Sequence, residues 1–538
     1  MQGLPRLCLN TCLYSSFLVC ISGLAVDLAL ASQLQLNPQP PSPPEVLEGE
    51  IPTTIEVSRF RVLGSTVFSE AELVEVTAPF TNRPLSFVQL LQARTAVTQL
   101  YLDRGYITSG AFLPPQTFQD RGEVVLEVIE GKLADIEVKG NTRLQADYIK
   151  QQVAAAASPP LNRDRLVNAL QLLQLNPLIA SISAELVSSP EPGANQLIVT
   201  IQETPSFKLK AGLDNLRSPA VGSDRQVVEL VENNLLGWSD RLALGYSRSA
   251  GSNSYDLSYS FPLTAANTSI SFSFNHVNSR IIEAPFSQVD LIAGARNYDL
   301  SLRHPLWQSP NQELVMGVTA SHRQSDTAVL DTPLAIAPGA DSQGRTRISA
   351  LRWFQEYNLR QSSQLLALRS QLSWGIGVLG ATLNPEPPDS QFFTWRGQAQ
   401  YLNQLAADTL LVVRADLQLS DRPLVPIEQI GIGGQSSVRG YRQDLFLGDN
   451  GATFNTELRL PIWKTAQSLV QLIPFTDFGI AWNSGSNANS IMGIGVGLSW
   501  QHNQNLAIRL DYGIPLNGKS GSSLQEQGIY FSLNWQIF

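Results

Sequence analysis

The chain has 538 residues, a formal net charge of −9 and only 15% Asp, Glu, Lys and Arg. An acidic balance with no Lys/Arg block argues against nucleic acid as a partner. No eighteen-residue apolar run follows residue 32, so no transmembrane helix is expected in the mature protein, and the length leaves room for several domains.

The three cysteines, Cys8, Cys12 and Cys20, all lie in the first twenty residues. Arg6 is followed by an apolar run from Leu7 to Val26 and then by Ala29-Leu30-Ala31. This pattern predicts a signal peptide over 1–31, cleaved after Ala31 at a small-x-small site. The mature chain then has no cysteine, which excludes disulfides, thiolate metal sites and a Cys nucleophile. Lipidation at Cys20 is the competing reading, but Val19 is a poor fit to the small residue expected there. Residues 32–54, with Pro38, Pro40, Pro41, Pro43, Pro44 and Pro52, read as an extended linker.

From 55 to 205 the chain repeats itself. Phe60-Arg61-Val62-Leu63-Gly64 returns as Ile136-Glu137-Val138-Lys139-Gly140, each a short strand ending at a turn glycine. The strands ending at Glu130 and Glu203 also correspond. Between them, Ser69-x-x-Glu72 and Ser86-x-x-Gln89 are capping boxes that start helices. Leu90, Leu91, Val97, Leu100 and Tyr101 share one helical face before Gly105, and Leu166, Ala169, Leu170 and Leu173 do so before Asn176-Pro177. Two β-α-α-β-β units are expected, at 55–131 and 132–205; two generic α+β domains are the plain alternative.

After Pro205 the period changes to two and stays so to the end. Ile270, Phe272 and Phe274 alternate with Ser271, Ser273 and Asn275; Phe454, Leu458 and Leu460 with Asn455, Glu457 and Arg459; Ile508, Leu510 and Tyr512 with Arg509 and Asp511. A soluble sandwich would not usually bury Glu, Arg and Asp on its inner face. A membrane barrel shows lipid its apolar face and keeps the polar face toward a wet lumen. All nine Trp lie between Trp238 and Trp535, as interfacial girdles require. Region 206–538 is therefore read as a sixteen-stranded transmembrane β-barrel. Its length allows about 21 residues per strand and turn, against the roughly ten that a tilted strand needs.

Within this region, Val438-Arg439-Gly440-Tyr441 follows the Gly-rich Gly431–Ser437 in a long segment, 421–450, between alternating stretches. Phe475-x-Asp477-x-Gly479 comes about forty residues later on the polar side of its own alternation. Asp477 should point into the lumen, where Arg439 on a flexible loop could form a forked, charge-assisted pair with it. Each charge alone would read as an ordinary solvated group.

The tetrad with Phe475-x-Asp477-x-Gly479, preceded by two repeats resembling POTRA domains (including Tyr101-x-x-x-Gly105-Tyr106), resembles the outer-membrane protein 85 superfamily. Barrel assembly factors there usually carry three or more POTRA domains and two-partner secretion transporters carry two. With two, the chain resembles the latter, the hemolysin and adhesin secretion-activation type. The resemblance implies an outer-membrane protein whose periplasmic POTRA domains bind the N-terminal secretion domain of an unfolded exoprotein and whose barrel exports it. It also implies contact with outer-membrane lipids and with the barrel assembly machinery during biogenesis. The alternative is a barrel assembly or insertion factor. Phe538, the terminal aromatic of an amphipathic last strand, resembles a barrel assembly signal, although the apolar residues run one step out of phase with the usual one. Some members thread a plug helix through the barrel. Here the short, Pro-rich 32–54 predicts none, leaving the loop with Arg439 to close the pore.

No enzyme, cofactor or metal site is expected. His276, His304, His322 and His502 lack ligand spacing, no nucleotide-binding loop is present, and no Ser and Asn near a His suggest a barrel phospholipase.

Overall fold

The computed structural model describes residues 54–117, 122–284, 286–518 and 521–538. The expected signal peptide, and the Pro-rich stretch as far as residue 53, lie outside the described residues. The chain divides into two compact units, with the boundary between Thr204 and Pro205.

The first unit contains both repeats. The first repeat runs β1 (Ile55–Leu63), α1 (Glu70–Thr77), β2 (Arg83–Leu85), α2 (Phe87–Asp103), β3 (Gly110–Phe112) and β4 (Gly122–Ile129). Both capping boxes form, so two of the orphan amides at each helix start are satisfied locally. The sheet order is β2-β1-β4-β3, with β1 parallel to β4, and Leu90, Val97 and Tyr101 of α2 bury against Val57, Phe60, Val124 and Leu126. The short β2 between the helices departs from the expected β-α-α-β-β order. Three residues are too few to show a period of two.

The second repeat runs β5 (Lys132–Lys139), α3 (Ala146–Ala154), α4 (Arg163–Gln174), β6 (Ile179–Ser188) and β7 (Ala194–Glu203). Its sheet is β5-β7-β6, with β5 parallel to β7 and no counterpart of β2. Both sides of this sheet therefore end in long strands, whereas the first repeat ends in three-residue strands on both sides.

One device closes both repeats. Gly64 and Gly140 adopt left-handed φ of 82° and 78° where the first strand meets the last. A Cβ there would lie 2.5 Å from the Val128 carbonyl or 2.2 Å from that of Ile201, so only glycine fits. The turn that follows presents backbone amides to a carboxylate at the end of the last strand. Thr66 N–H donates to Glu130 at 2.7 Å, while Thr142 and Leu144 N–H donate to Glu203 at 2.6 and 3.0 Å. Burial alone would raise the Glu203 carboxyl, but the Thr142, Leu144 and Arg143 amides and the Thr142 hydroxyl outweigh it and hold it below its ordinary value.

The second unit is a closed antiparallel barrel of sixteen strands. Its first half is β8 (Phe207–Asp214), β9 (Arg225–Glu232), β10 (Arg241–Ser249), β11 (Ser252–Pro262), β12 (Ser269–Arg280), β13 (Leu291–Gln308), β14 (Gln312–Val329) and β15 (Arg345–Arg360). The second half is β16 (Gln364–Ile376), β17 (Phe393–Ala406), β18 (Thr409–Ser420), β19 (Asn450–Lys464), β20 (Ser468–Trp482), β21 (Asn489–His502), β22 (Leu506–Pro515) and β23 (Ile529–Gln536). Strand β23 closes on β8 through Ser532↔Asp214 to Gln536↔Lys210, and the buried Asn215 ties this seam by exchanging hydrogen bonds with Phe531 and Ile529. Phe538 lies beyond β23 and is exposed.

Alternation sorts the wall as water and lipid require. Leu300, Leu302, Val318, Phe454, Phe478, Ile494, Leu510 and Tyr512 face outward. Glu457, Arg459, Asp477 and Asp511 face the lumen and are buried there. One barrel end has short turns, such as 309–311, 361–363 and 503–505, and carries Trp307, Trp463 and Trp535; the other has the long connections 330–344, 377–392 and 421–449. In outer-membrane barrels short turns face the periplasm and long loops the exterior.

Glu203→Gln should loosen the second repeat by about 1–2 kcal/mol, the scale of lost hydrogen bonds to a charged acceptor. Because the folded carboxyl is depressed, its contribution is full above the pKa of an unfolded glutamate, about 4.3, and fades as pH falls through the lower folded value. Amide hydrogen exchange at Thr142, Arg143 and Leu144 should accelerate in the variant, and the difference between the two proteins should shrink on acidification.

Candidate functional site

Residues 421–449 leave the wall after Ser420 and return at Asn450. They form a small hairpin, Ile430–Ile432 paired with Phe446–Gly448, whose apex carries Val438 to Tyr441. The apex folds onto the lumenal faces of β19 to β23.

Arg439 is 1% exposed and makes four polar contacts. Its Nε and Nη2 donate to the two oxygens of Asp477 at 2.7 and 2.8 Å, a bidentate fork. Its backbone N–H adds a third bond to Asp477 at 3.0 Å, and Nη1 donates to Glu457 at 2.8 Å. The guanidinium lies 3.4 Å from the centre of the Phe475 ring, so the plane below it is filled as well. Val438 packs with Ile432, Tyr441, Ala481 and Ile491. Gly440 N–H donates to the Tyr530 hydroxyl at 2.9 Å, and the Tyr441 hydroxyl lies 3.0 Å from the Met492 carbonyl. The structure thus brings Val438, Arg439, Gly440, Tyr441, Phe475, Asp477 and Gly479 into one cluster.

The wall beneath is cut to the shape of this backbone. A Cβ at Gly493 would sit 2.0 Å from the Arg439 carbonyl oxygen, one at Gly513 2.6 Å from the Gly440 nitrogen, and one at Gly479 2.7 Å from the Val438 side chain. Three adjacent strands therefore present glycine where the loop touches down. Lumenal glycines at 493, 495 and 497 were readable as a pattern in the sequence, and a row of missing side chains is a sign that something lies flat on a wall.

Glu457 is the electrostatic hub. Arg439, Arg459 and Arg509 lie 2.8, 3.1 and 2.8 Å from it, and Arg414 3.8 Å. Asp511 pairs with Arg509 at 2.8 Å and accepts from Gln435 of the loop. If Arg439 withdraws, Glu457 keeps three cations, while among the described residues Asp477 keeps only the side-chain bond from Asn455 at 2.9 Å.

The loop has a second anchor that the sequence did not reveal. Glu428, near its root, accepts from Arg352 of β15 at 2.7 Å and lies 3.2 Å from Arg323 of β14. The apex ion pairs are on β19 and β20, five strands round the ring from β14 and β15, so the two anchors tie the loop to separate arcs of the wall. The polarity is reversed between the anchors: carboxylate on loop and guanidinium on wall at the root, the converse at the apex. Leu424 and Val425 bury beside the root against Ile348, Ala350 and Phe392.

Among the described residues no group of three or more His, Cys, Asp or Glu could hold a metal ion. His322, mid-strand in β14, is within 2.9 Å of Ser349 Oγ.

Comparisons with known proteins agree on one family. A model of the haemolysin secretion/activation protein ShlB/FhaC/HecB matches residues 193–500, and one of the ShlB-type POTRA domain matches residues 55–131. The outer membrane transporter CdiB of Escherichia coli O6:K15:H31 (strain 536 / UPEC) is 25% identical over 435 residues, covering 77% of this chain and 70% of that protein. The heme/hemopexin transporter protein HuxB of Haemophilus influenzae (strain 86-028NP) is 22% identical over 482 residues, covering 85% and 82%. Among solved structures, CdiB from Escherichia coli superimposes with a TM-score of 0.70 at 21% identity, over 92% of this chain and 93% of that one.

Gly493→Ala should unseat the apex while leaving the barrel folded, because the added Cβ meets backbone that cannot rotate away. Single-channel conductance in a planar bilayer should rise, whereas Gly294→Ala, whose Cβ has no neighbour closer than 3.8 Å, should not change it. Glu428→Gln strands two wall arginines and should free the root at a cost of about 3 kcal/mol or more. Its effect should add to that of Arg439→Ala, since the two anchors share no partner.

Proposed function

The chain belongs to the haemolysin secretion/activation protein family ShlB/FhaC/HecB, and on that footing we propose that it exports one unfolded exoprotein through its barrel. It is an outer-membrane transporter of two-partner secretion, not an enzyme. The transporter relatives favour export over the barrel-insertion alternative. The observation that carries the mechanism is the doubly pinned loop: ion pairs tie it to β15 near its root and to β20 at its apex, in a lumen lined with charges. Ion pairs buried this deeply add little net stability compared with apolar packing, but they define one docked position. They are also easily replaced once water or a polar chain enters, which suits a closure that must open.

The exoprotein's secretion domain binds the periplasmic repeats. An extended chain adds to a sheet edge through backbone bonds, and the useful edges are β5 and β6 of the second repeat. The three-residue edges of the first repeat offer too few backbone groups for comparable pairing. Export then draws on folding outside the cell.

Arg439→Ala and Asp477→Ala should each insert normally yet export the partner poorly, and the double variant should be no worse than either single one, because all three lose the same contact. Export assayed at matched barrel levels would reject the latch if Arg439→Ala secretes normally or the defects add. Residues 55–205 alone should bind an unfolded N-terminal fragment of the exoprotein weakly by calorimetry, and crosslinks should map to β5 or β6. No binding at high concentration would move recognition into the barrel.

A further inference from the structure

The outer wall carries a charged patch that export does not use. On the long-loop side, cross-strand rows of rings face outward: Tyr246 beside Tyr255, and Phe274 beside Tyr298, with centroids 5.2 and 5.0 Å apart. They top the apolar band, as rings at a membrane interface do. One residue pair further out, His276, Arg296, Gln324 and Arg347 stand directly opposite one another on β12, β13, β14 and β15. Arg248 on β10 lies one row higher.

Arginines elsewhere on this rim are neutralised: Arg280 pairs with Asp290 at 2.8 Å and Arg345 with Asp341 at 3.1 Å. Among the described residues, Arg248, Arg296 and Arg347 form no ion pair, and the one carboxylate on the same face of the row above, Asp326, stands diagonally from Arg296 and Arg347 and directly opposite Arg345. His276 Nδ1 nearby is also buried without a partner. The outward side chains of β16 to β22 toward the long-loop end are largely apolar, including Trp374, Phe393, Leu419, Phe478, Met492 and Ile514. The cations are thus gathered on one arc. With strands about 4.8 Å apart, Arg296 and Arg347 stand roughly 10 Å apart with the Gln324 amide between them.

Unpaired guanidiniums just above an aromatic girdle sit at headgroup depth, and a guanidinium's planar fork matches a phosphate's oxygens. We propose that Arg296, Gln324 and Arg347, flanked by Arg248, bind the phosphorylated headgroup of an outer-leaflet lipid whose acyl chains lie on the apolar wall below.

Native mass spectrometry of the full-length protein in neutral detergent, titrated with phosphatidic acid or phosphatidylcholine, tests this. Phosphatidic acid should be retained preferentially. The affinity should fall about five-fold for each guanidinium lost, so that an Arg296→Gln/Arg347→Gln double variant binds roughly thirty-fold more weakly. Arg280→Gln, which removes a paired charge on the same rim, should bind as the parent does. Millimolar inorganic phosphate should not displace the lipid. These side chains face outward from the wall, so the variants should keep heat-modifiable gel mobility. Equal retention of phosphatidylcholine, undiminished binding by the double variant, or equal loss in Arg280→Gln would overturn the site. Displacement by inorganic phosphate would overturn its assignment to a lipid.

Discussion

Burying a guanidinium is tolerable only where every face of it is answered, and Arg439 has one such place. Asp477 takes the fork, Glu457 takes the remaining nitrogen, and Phe475 covers the ring plane. Sliding the loop by one residue would leave a charge unpaired in a low-dielectric setting, at several kcal/mol. That penalty, more than attraction, sets the register of the apex. The glycines at 479, 493 and 513 then make the fit possible, because any side chain there would hold the backbone off the wall.

The second anchor changes what the first can do. A loop tied only at its apex could swing out along the wall it left. One tied also at Glu428 to β14 and β15 is held in the bore until at least one tie breaks. The apex is also the better built to let go, because Glu457 retains Arg414, Arg459 and Arg509 when Arg439 leaves. Only Asp477 is then short of a cation, and a wet lumen or a passing polar chain can answer a single carboxylate.

The same separation of polar from apolar organises the outer wall. Apolar side chains meet lipid, rings mark the interface, and cations beyond the rings occur on one arc. In the periplasmic unit the difference is between two copies of one design. Both repeats close by a glycine turn donating amides to a terminal glutamate, but only the second leaves long strand edges unpaired. The two repeats share a scaffold and differ in their edge strands, which gives them different surfaces.

The sequence by itself determined the class of every region after the linker. A period of two with charged residues on one face needs water on that side and an apolar medium on the other, and sustained over more than three hundred residues with all nine Trp among them it reads as a membrane barrel, so the barrel and the lumenal parity of Asp477, Glu457 and Asp511 were legible before any coordinates. The capping boxes and the repeated strand–glycine pattern were legible for the same reason: local hydrogen bonding and periodicity are written in short spans of chain. What only the tertiary structure decided is which lumenal groups meet. Alternation assigns a face but not a neighbour across the bore, so neither Glu428 on Arg352 nor the four guanidiniums around Glu457 could be found without the closed ring. Closure sets β14 and β15 five strands from β19 and β20, and one loop that reaches both arcs turns scattered lumenal charges into anchors.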